Sequence, residues 1–270
     1  MGVLLWIHPA CGSALEAEII RLDVGEVSGA MTPDDGVPGR GGIGNIFIMG
    51  QRLLFKRERR GGLSSRFMPD LYFNREPFLR ELSLSLMMEA KGLAPRIIAR
   101  WFLATAGAAE VFTLMQPLEN VASLMDILLS SRPKTGHLKA AGELVGRLHA
   151  IGVYHGDLNA GNVLIDGSGR PWGIDWRHSS IFTPFPDELR LANLRRLERS
   201  IVKTLSQTGA RLGQDGWEAL AMGYREGGGF GGEPVTKQWL KSAGRGFFIR
   251  RFFWERFKNS GRPLFPPWKN

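Results

Sequence analysis

The run His155-Gly156-Asp157-Leu158-Asn159-Ala160-Gly161-Asn162, followed by Ile174-Asp175-Trp176, constrains this chain more than any other feature. Turn-forming residues fill most of it, so the backbone is expected to leave regular structure there and to send Asp157 and Asn162 off in different directions. Directly after it, Val163 to Ile165 and Pro171 to Asp175 read as two short strands joined by Asp166-Gly167-Ser168-Gly169, a hairpin-turn composition. A second carboxylate, Asp175, thus arrives from the end of a hairpin that follows the loop carrying the first. One Asp or Asn in such a place is usually a turn cap. The whole string, in register with His155, Gly156 and an apolar strand, asks for a chemical reason.

Phosphoryl transfer supplies that reason. It needs an oriented acceptor hydroxyl, metal to neutralise phosphate charge, and a cation on the phosphates that stay behind, because positioning and electrostatics provide most of the catalysis. Asp157 is read as the catalytic residue that accepts or orients the acceptor's proton. Asn162 and Asp175 offer hard oxygens suited to Mg2+, and His155 is read as a structural hydrogen-bonding residue of the loop. Upstream, Ile46 to Ile48 and Leu53 to Phe55 read as a hairpin, and Lys56 ends its second strand where a phosphate-pairing lysine belongs. Glu81 on the next helix is its expected ion-pair partner, with Glu76 as the fallback. Gly39-Arg40-Gly41-Gly42-Ile43-Gly44-Asn45 is read as a loop whose amides, at Gly41, Gly42 and Gly44, approach the phosphates of ATP, since glycine removes the side chain that would block a close anion.

The rest of the chain divides by texture. Val3 to Ile7 lacks the basic leader of a signal peptide and reads as a strand or a start-of-domain segment. Residues 31 to 44 form a glycine- and proline-rich loop. Pro77 to Lys91 reads as a helix with a proline start and a glycine stop, and Ile97 to Ala104 and Val111 to Met115 as strands. Beyond Pro117, Val121 to Ser130, Leu138 to Ala150, Asp187 to Thr208, Gly213 to Arg225 and Val235 to Lys258 read as helices. The expected fold is α+β and bilobal: a sheet-rich N-lobe over residues 1–116 that binds nucleotide, and a mainly helical C-lobe over 117–270 that carries the catalytic loop. At 270 residues with 43% apolar composition, the chain can bury a large core.

Composition narrows the partners only by charge. The formal net charge of +9 favours anionic partners without choosing among them. A lone cysteine, Cys11, excludes an intramolecular disulfide framework and a multi-cysteine zinc site, and is read as packed. No uncharged apolar stretch reaches the length of a membrane span, so a soluble or peripherally bound protein is expected. Gly246 to Lys258 interleaves cations with large aromatics. It is read either as a packed C-terminal helix or as an interfacial one on anionic lipid.

Residues 39 to 200 resemble the lipopolysaccharide kinases, and most closely those acting on 3-deoxy-D-manno-octulosonic acid (Kdo). Three segments carry the resemblance: Lys56-Arg57-Glu58-Arg59-Arg60-Gly61-Gly62-Leu63, Tyr154-His155-Gly156-Asp157-Leu158-Asn159-Ala160 with Asn162, and Asn193-Leu194-Arg195-Arg196-Leu197-Glu198-Arg199-Ser200. The resemblance implies a protein-kinase-like fold, ATP and Mg2+ as cofactors, Asp157 as the catalytic residue, and a Kdo-bearing lipid A acceptor at the cytoplasmic face of the inner membrane. Arg57, Arg59, Arg60 and Arg66 are read either as holding acceptor phosphates or the Kdo carboxylate, or as a plain basic surface. No nucleic acid is expected, and no protein partner is inferred. One departure stands out. The family usually reads Ile-Asp-Phe-Asp-Arg where this chain has Ile174-Asp175-Trp176-Arg177-His178, so a second acid is missing. The same passage also resembles the aminoglycoside and choline phosphotransferases, which stand as the alternative. A pseudokinase that binds without catalysing is a third reading, opposed by the presence of every expected catalytic residue.

Overall fold

Leu53 and Phe55 face one way along their strand and Lys56 the other, and this alternation organises the first half of the molecule. A computed structural model of the protein describes residues 2–30, 43–59, 71–105, 107–130, 135–229 and 239. These fall into two units, residues 1–120 with 172–178, and residues 121–171 with 179–270. The architecture is mixed α and β with an antiparallel sheet.

In the first unit, β1 (Val3–Ile7), β2 (Ile43–Ile48), β3 (Gln51–Arg57), β4 (Ile97–Thr105) and β5 (Ala108–Met115) form the sheet in the order β1-β4-β5-β3-β2. The β2–β3 hairpin turns through Met49 and Gly50, both at positive φ (51° and 75°), the pairing that a tight two-residue turn requires. On one face Leu53, Phe55, Trp101, Phe112 and Leu114 pack with Ile19 of helix α1 (Ser13–Arg21) and with Val24, the first residue of helix α2 (Val24–Ala30). Residues 2 to 30 therefore complete the sheet: β1 is its edge strand, and α1 and α2 help to close its core. Cys11 packs partly against this core, and burial, aided by the Glu16 carboxylate, pushes its thiol pKa up, in keeping with a packed cysteine. The opposite face carries Phe102 and Val111 against Phe78 of helix α3 (Glu76–Ala90), and beside them the polar residues Lys56, Arg100 and Thr113.

The second unit contains β6 (Val121–Ser123), α4 (Leu124–Ser130), α5 (Thr135–Ala150), β7 (Val153–Tyr154), β8 (Val163–Asp166), β10 (Ser180–Ile181), α6 (Asp187–Gln207) and α7 (Gln214–Glu226). β9 (Pro171–Gly173) carries the chain from this unit back into the first. Two expectations need correction. The segment from Val121 to Ser130 is not helical throughout: Val121–Ser123 pairs antiparallel with β8, because Val121 offers a β-branched residue to a waiting strand, and the helix starts at Leu124. The strand expected to run to Asp175 ends at Gly173, whose amide donates to the carbonyl of Leu93.

Helices α5 and α7 approach so closely that their backbones touch. A Cβ at Gly142 would lie 2.0 Å from the carbonyl oxygen of Leu220, and one at Gly223 would lie 1.8 Å from that of Lys139. Gly146 and Gly227 repeat the pattern one turn on. Among the described residues no helix is long and apolar enough to cross a membrane. The expected helix from Val235 to Lys258 lies outside the described residues except for Trp239. That residue is helical and buried, and its indole N–H donates to Glu198. The Gly246 to Lys258 segment lies wholly outside them.

Candidate active site

The loop from His155 to Asn162, in the second unit, is held mainly by its own amides and by one face of α6. Asn159 and Asn162 each donate through Nδ2 to the carbonyl oxygen of Asp157, at 3.0 and 2.9 Å, while Oδ1 of Asn159 accepts from the amide of Gly161. The Asp157 amide donates to Nδ1 of His155. His155 is fully buried, so it serves as an internal brace, in line with the structural role expected of it.

Helix α6 supplies the outer support. Asn193, Arg196 and Ser200 stand at i, i+3 and i+7, on one helical stripe. Asn193 is buried and reads the backbone of His155 twice, accepting from its amide at 3.1 Å and donating to its carbonyl at 3.0 Å. Ser200 accepts from the amide of Ala160. Arg196 forms an ion pair with Asp157. Partial burial works against the charged form of Asp157, but the hydrogen bond and charge of Arg196, helped by Asn159 and His155, hold its pKa below the ordinary carboxylate range. Asp157 is therefore ionised at neutral pH, as a proton acceptor must be.

These three helix residues were part of the sequence resemblance, yet their work was not read from it. The available signal was an asparagine on the apolar stripe of a helix, followed at i+4 and i+8 by Leu197 and Ile201, where an amide is unwelcome without partners.

A second layer stands behind Asn193. Its Oδ1 also lies 3.2 Å from Nε2 of His149, whose Nδ1 is 3.0 Å from the Tyr224 hydroxyl, and His149 stacks on Phe185. Burial drives the His149 pKa down to about 3, so the ring is neutral. The unfolded chain takes up a proton there near the ordinary value of 6.5, whereas the folded chain resists until about pH 3. This group's contribution to stability is thus complete above 6.5 and is lost as pH falls toward 3. Urea unfolding at neutral and mildly acidic pH is expected to show this slope in the wild type, and a flatter one in His149→Gln. An equal slope in both would show that another group sets it.

In the first unit, Lys56 does not pair with Glu81 as expected. Its Nζ lies 2.9 Å from Oε2 of Glu58, two residues along the same strand direction and therefore on the same face. Glu81 is taken by Arg100, whose Nη1 donates to Glu81 Oε2 at 2.9 Å and also to the carbonyl of Phe78. The reason is local: among the described residues, the cations within 4 Å of Glu81 are Arg100, anchored in β4, and Arg177 of the Asp175 segment. Glu76, the fallback partner, pairs with Arg80 instead. Glu58 is 2% exposed. Burial opposes its charge, but Lys56, Arg177 and Arg100 together hold its carboxyl down to about 2. The sequence reading missed Glu58 because it stands inside a basic run.

Asp175 adopts φ 64°, the left-handed region that a non-glycine residue occupies at a cost and that is enriched at functional positions. Two residues on, Arg177 reaches Glu58 at 2.7 Å and lies over the Phe78 ring at 4.4 Å. The missing acid at position 177 thus has a structural counterpart, an arginine tied to a buried glutamate. Gly44, expected in the glycine-rich loop, is instead buried in β2, because Ile43 and Ile46 extend the strand and Gly44 pairs with Phe55 of β3; Gly41 and Gly42 lie outside the described residues. Arg57 pairs with Glu110, Arg59 is exposed, and Arg60 and Arg66 lie outside the described residues. A cavity of about 600 Å³ at the start of α3, lined by Tyr72, Phe73, Arg75 and Leu79 among others, includes the fallback Glu76 but not Lys56, Glu81, Asp157, Asn162 or Asp175.

A family model described as the lipopolysaccharide kinase (Kdo/WaaP) family matches residues 39–224. A 3-deoxy-D-manno-octulosonic acid kinase of Xanthomonas oryzae pv. oryzae is 32% identical over 183 residues, covering 66% of this chain and 71% of the relative. Its namesake in Stenotrophomonas maltophilia is 30% identical over 194 residues, covering 69% and 77%. One from Xanthomonas campestris pv. campestris is 31% identical over 170 residues, covering 61% and 68%.

Proposed function

The chain belongs to the lipopolysaccharide kinase (Kdo/WaaP) family, and from that membership we propose that it transfers the γ-phosphate of ATP to a hydroxyl of 3-deoxy-D-manno-octulosonic acid on lipid A. The observation that carries this reading is the braced loop from His155 to Asn162, which presents an ionised Asp157 on a scaffold that α6 keeps rigid. A bilobal protein-kinase-like fold is part of the proposal, with residues 1–116 binding nucleotide and residues 117–270 carrying the catalytic loop.

Asp157 would accept or orient the proton of the sugar hydroxyl. Lys56 would meet the non-transferred phosphates from the end of β3, with the backbone around Gly41, Gly42 and Gly44 close to them. Asn162 and Asp175 fit a magnesium ion in donor type: each offers a hard side-chain oxygen, and the Asn162 amide nitrogen is already committed to the loop. ATP supplies the phosphoryl group, and Mg2+ would neutralise its charge. Glu81 would act at one remove, by fixing Arg100. The surplus of basic residues and the nature of the acceptor support a peripheral position on the cytoplasmic face of the inner membrane.

Incubation with radiolabelled ATP, magnesium and Kdo-lipid A should label the lipid. Transfer to soluble amino-sugars or choline, with none to the lipid, would overturn the acceptor assignment. Lys56→Ala is expected to lower transfer by about a hundredfold or more, as for loss of a charge-stabilising donor, with circular dichroism unchanged. Undiminished transfer by Lys56→Ala would remove Lys56 from the mechanism.

A further inference from the structure

We infer that Glu58 and Arg177 together are the positioning pair for Lys56, and that through them the phosphate-binding cation is coupled to the segment carrying Asp175. The inference rests on the kinase reading above and deepens it by naming what holds the lysine.

The geometry turns on one oxygen. Oε2 of Glu58 lies 2.9 Å from Lys56 Nζ and 2.7 Å from Arg177 Nη2, so both cations are held by the same atom. Oε1 accepts from the Thr113 hydroxyl at 3.1 Å and has Arg100 Nη2 at 3.9 Å. The carboxylate cannot rotate to follow either cation without giving up the other contacts. Arg177 is equally constrained: its guanidinium lies over the Phe78 ring and within 5.8 Å of the Tyr72 ring centre, and its Nε is 3.9 Å from Glu81. Any displacement of the backbone at Asp175 is therefore transmitted to Arg177 and from there to Glu58 and Lys56.

Charge and exposure point outward at Lys56. The cluster holds the cations Lys56, Arg100 and Arg177 against the carboxylates Glu58 and Glu81, leaving one positive charge in excess when Asp175 is reserved for metal. The side chain of Lys56 is 31% exposed, against 15% for Arg177 and 1% for Arg100. The surplus cation is thus the one an anionic ligand can reach. A phosphate group has the chemistry to complete the balance.

Glu58→Asp and Arg177→Lys test this in the full chain. Each keeps the charge count while withdrawing the shared contact, so a role in charge balance alone would be spared. Binding of a non-hydrolysable ATP analogue with Mg2+, read by calorimetry without turnover, is expected to weaken about tenfold or more in each. The double variant is expected to bind no worse than the weaker single, since both break one linkage. KM for ATP should rise more than kcat falls. Wild-type nucleotide affinity in folded Glu58→Asp, or single effects that simply multiply in the double variant, would overturn the inference. Should Arg177→Lys fail to fold, the Glu58→Asp affinity alone decides. Lys56→Ala separates the two levels: if it too leaves nucleotide binding and transfer unchanged, the kinase reading of Lys56 fails as well; if it weakens them while Glu58→Asp does not, only this inference fails.

Discussion

Asp157→Ala should abolish most phosphoryl transfer, by about 10²–10⁴-fold, while leaving the unfolding transition close to that of the wild type. The side chain is only half-buried, and its ion-pair partner among the described residues is Arg196, itself substantially exposed. Its removal leaves no buried charge unpaired, so the cost to stability is that of a surface pair, at most about 1 kcal/mol. The loop itself should survive, because Asn159 and Asn162 bind the carbonyl oxygen of residue 157, which alanine retains. Steady-state transfer to Kdo-lipid A and urea unfolding, measured on the same preparation, check the two halves separately. Full activity in a folded Asp157→Ala protein would refute the mechanism. A large loss of stability would instead show that Asp157 holds the fold.

The other large effect concerns the seam between α5 and α7. Gly142→Ala or Gly223→Ala places a methyl group about 2 Å from a backbone carbonyl oxygen of the facing helix, where no rotamer change relieves the overlap. The helices must move apart, and a loss of about 1–3 kcal/mol or more is expected, a fall in Tm of about 2–4 °C for each kcal/mol. Gly136 on the same helix provides the contrast, since a Cβ there meets nothing within 4 Å. Gly136→Ala should be neutral, or more stable by up to about 1 kcal/mol through helix propensity. Differential scanning of the three variants tests this, and equal Tm values would show that the helices do not touch. The seam also bears on catalysis. Tyr224 of α7 meets His149 of α5, and His149 meets Asn193, which holds the backbone of His155. Separation of the helices should therefore lower kcat for the fraction that remains folded.

Much of the local structure was legible because it is dictated locally. The β2–β3 hairpin follows from two apolar strands around a turn with Gly50, and α3 from a proline at its start and Gly92 after its end. The loop from His155 to Asn162 stood out for another reason: the chemistry proposed for it requires particular residue types in a fixed order, and those leave a string that packing alone does not produce. Where reading failed, a distant partner had decided the outcome. Val121–Ser123 became a strand because β8, some forty residues on, offered it an edge.

The loop from His155 to Asn162, read together with Asp175, thus pointed to the class of chemistry, and its neighbouring segments to the family. Only the tertiary structure decided who holds whom. Lys56 is claimed by Glu58 rather than Glu81, Arg177 stands in place of an acid by pairing with that same glutamate, and Asn193, Arg196 and Ser200 brace the loop from a helix. Ion pairs and buried hydrogen bonds fall off steeply with separation and carry a penalty for every unpaired group, so their partners are chosen by proximity after folding, which sequence order does not record.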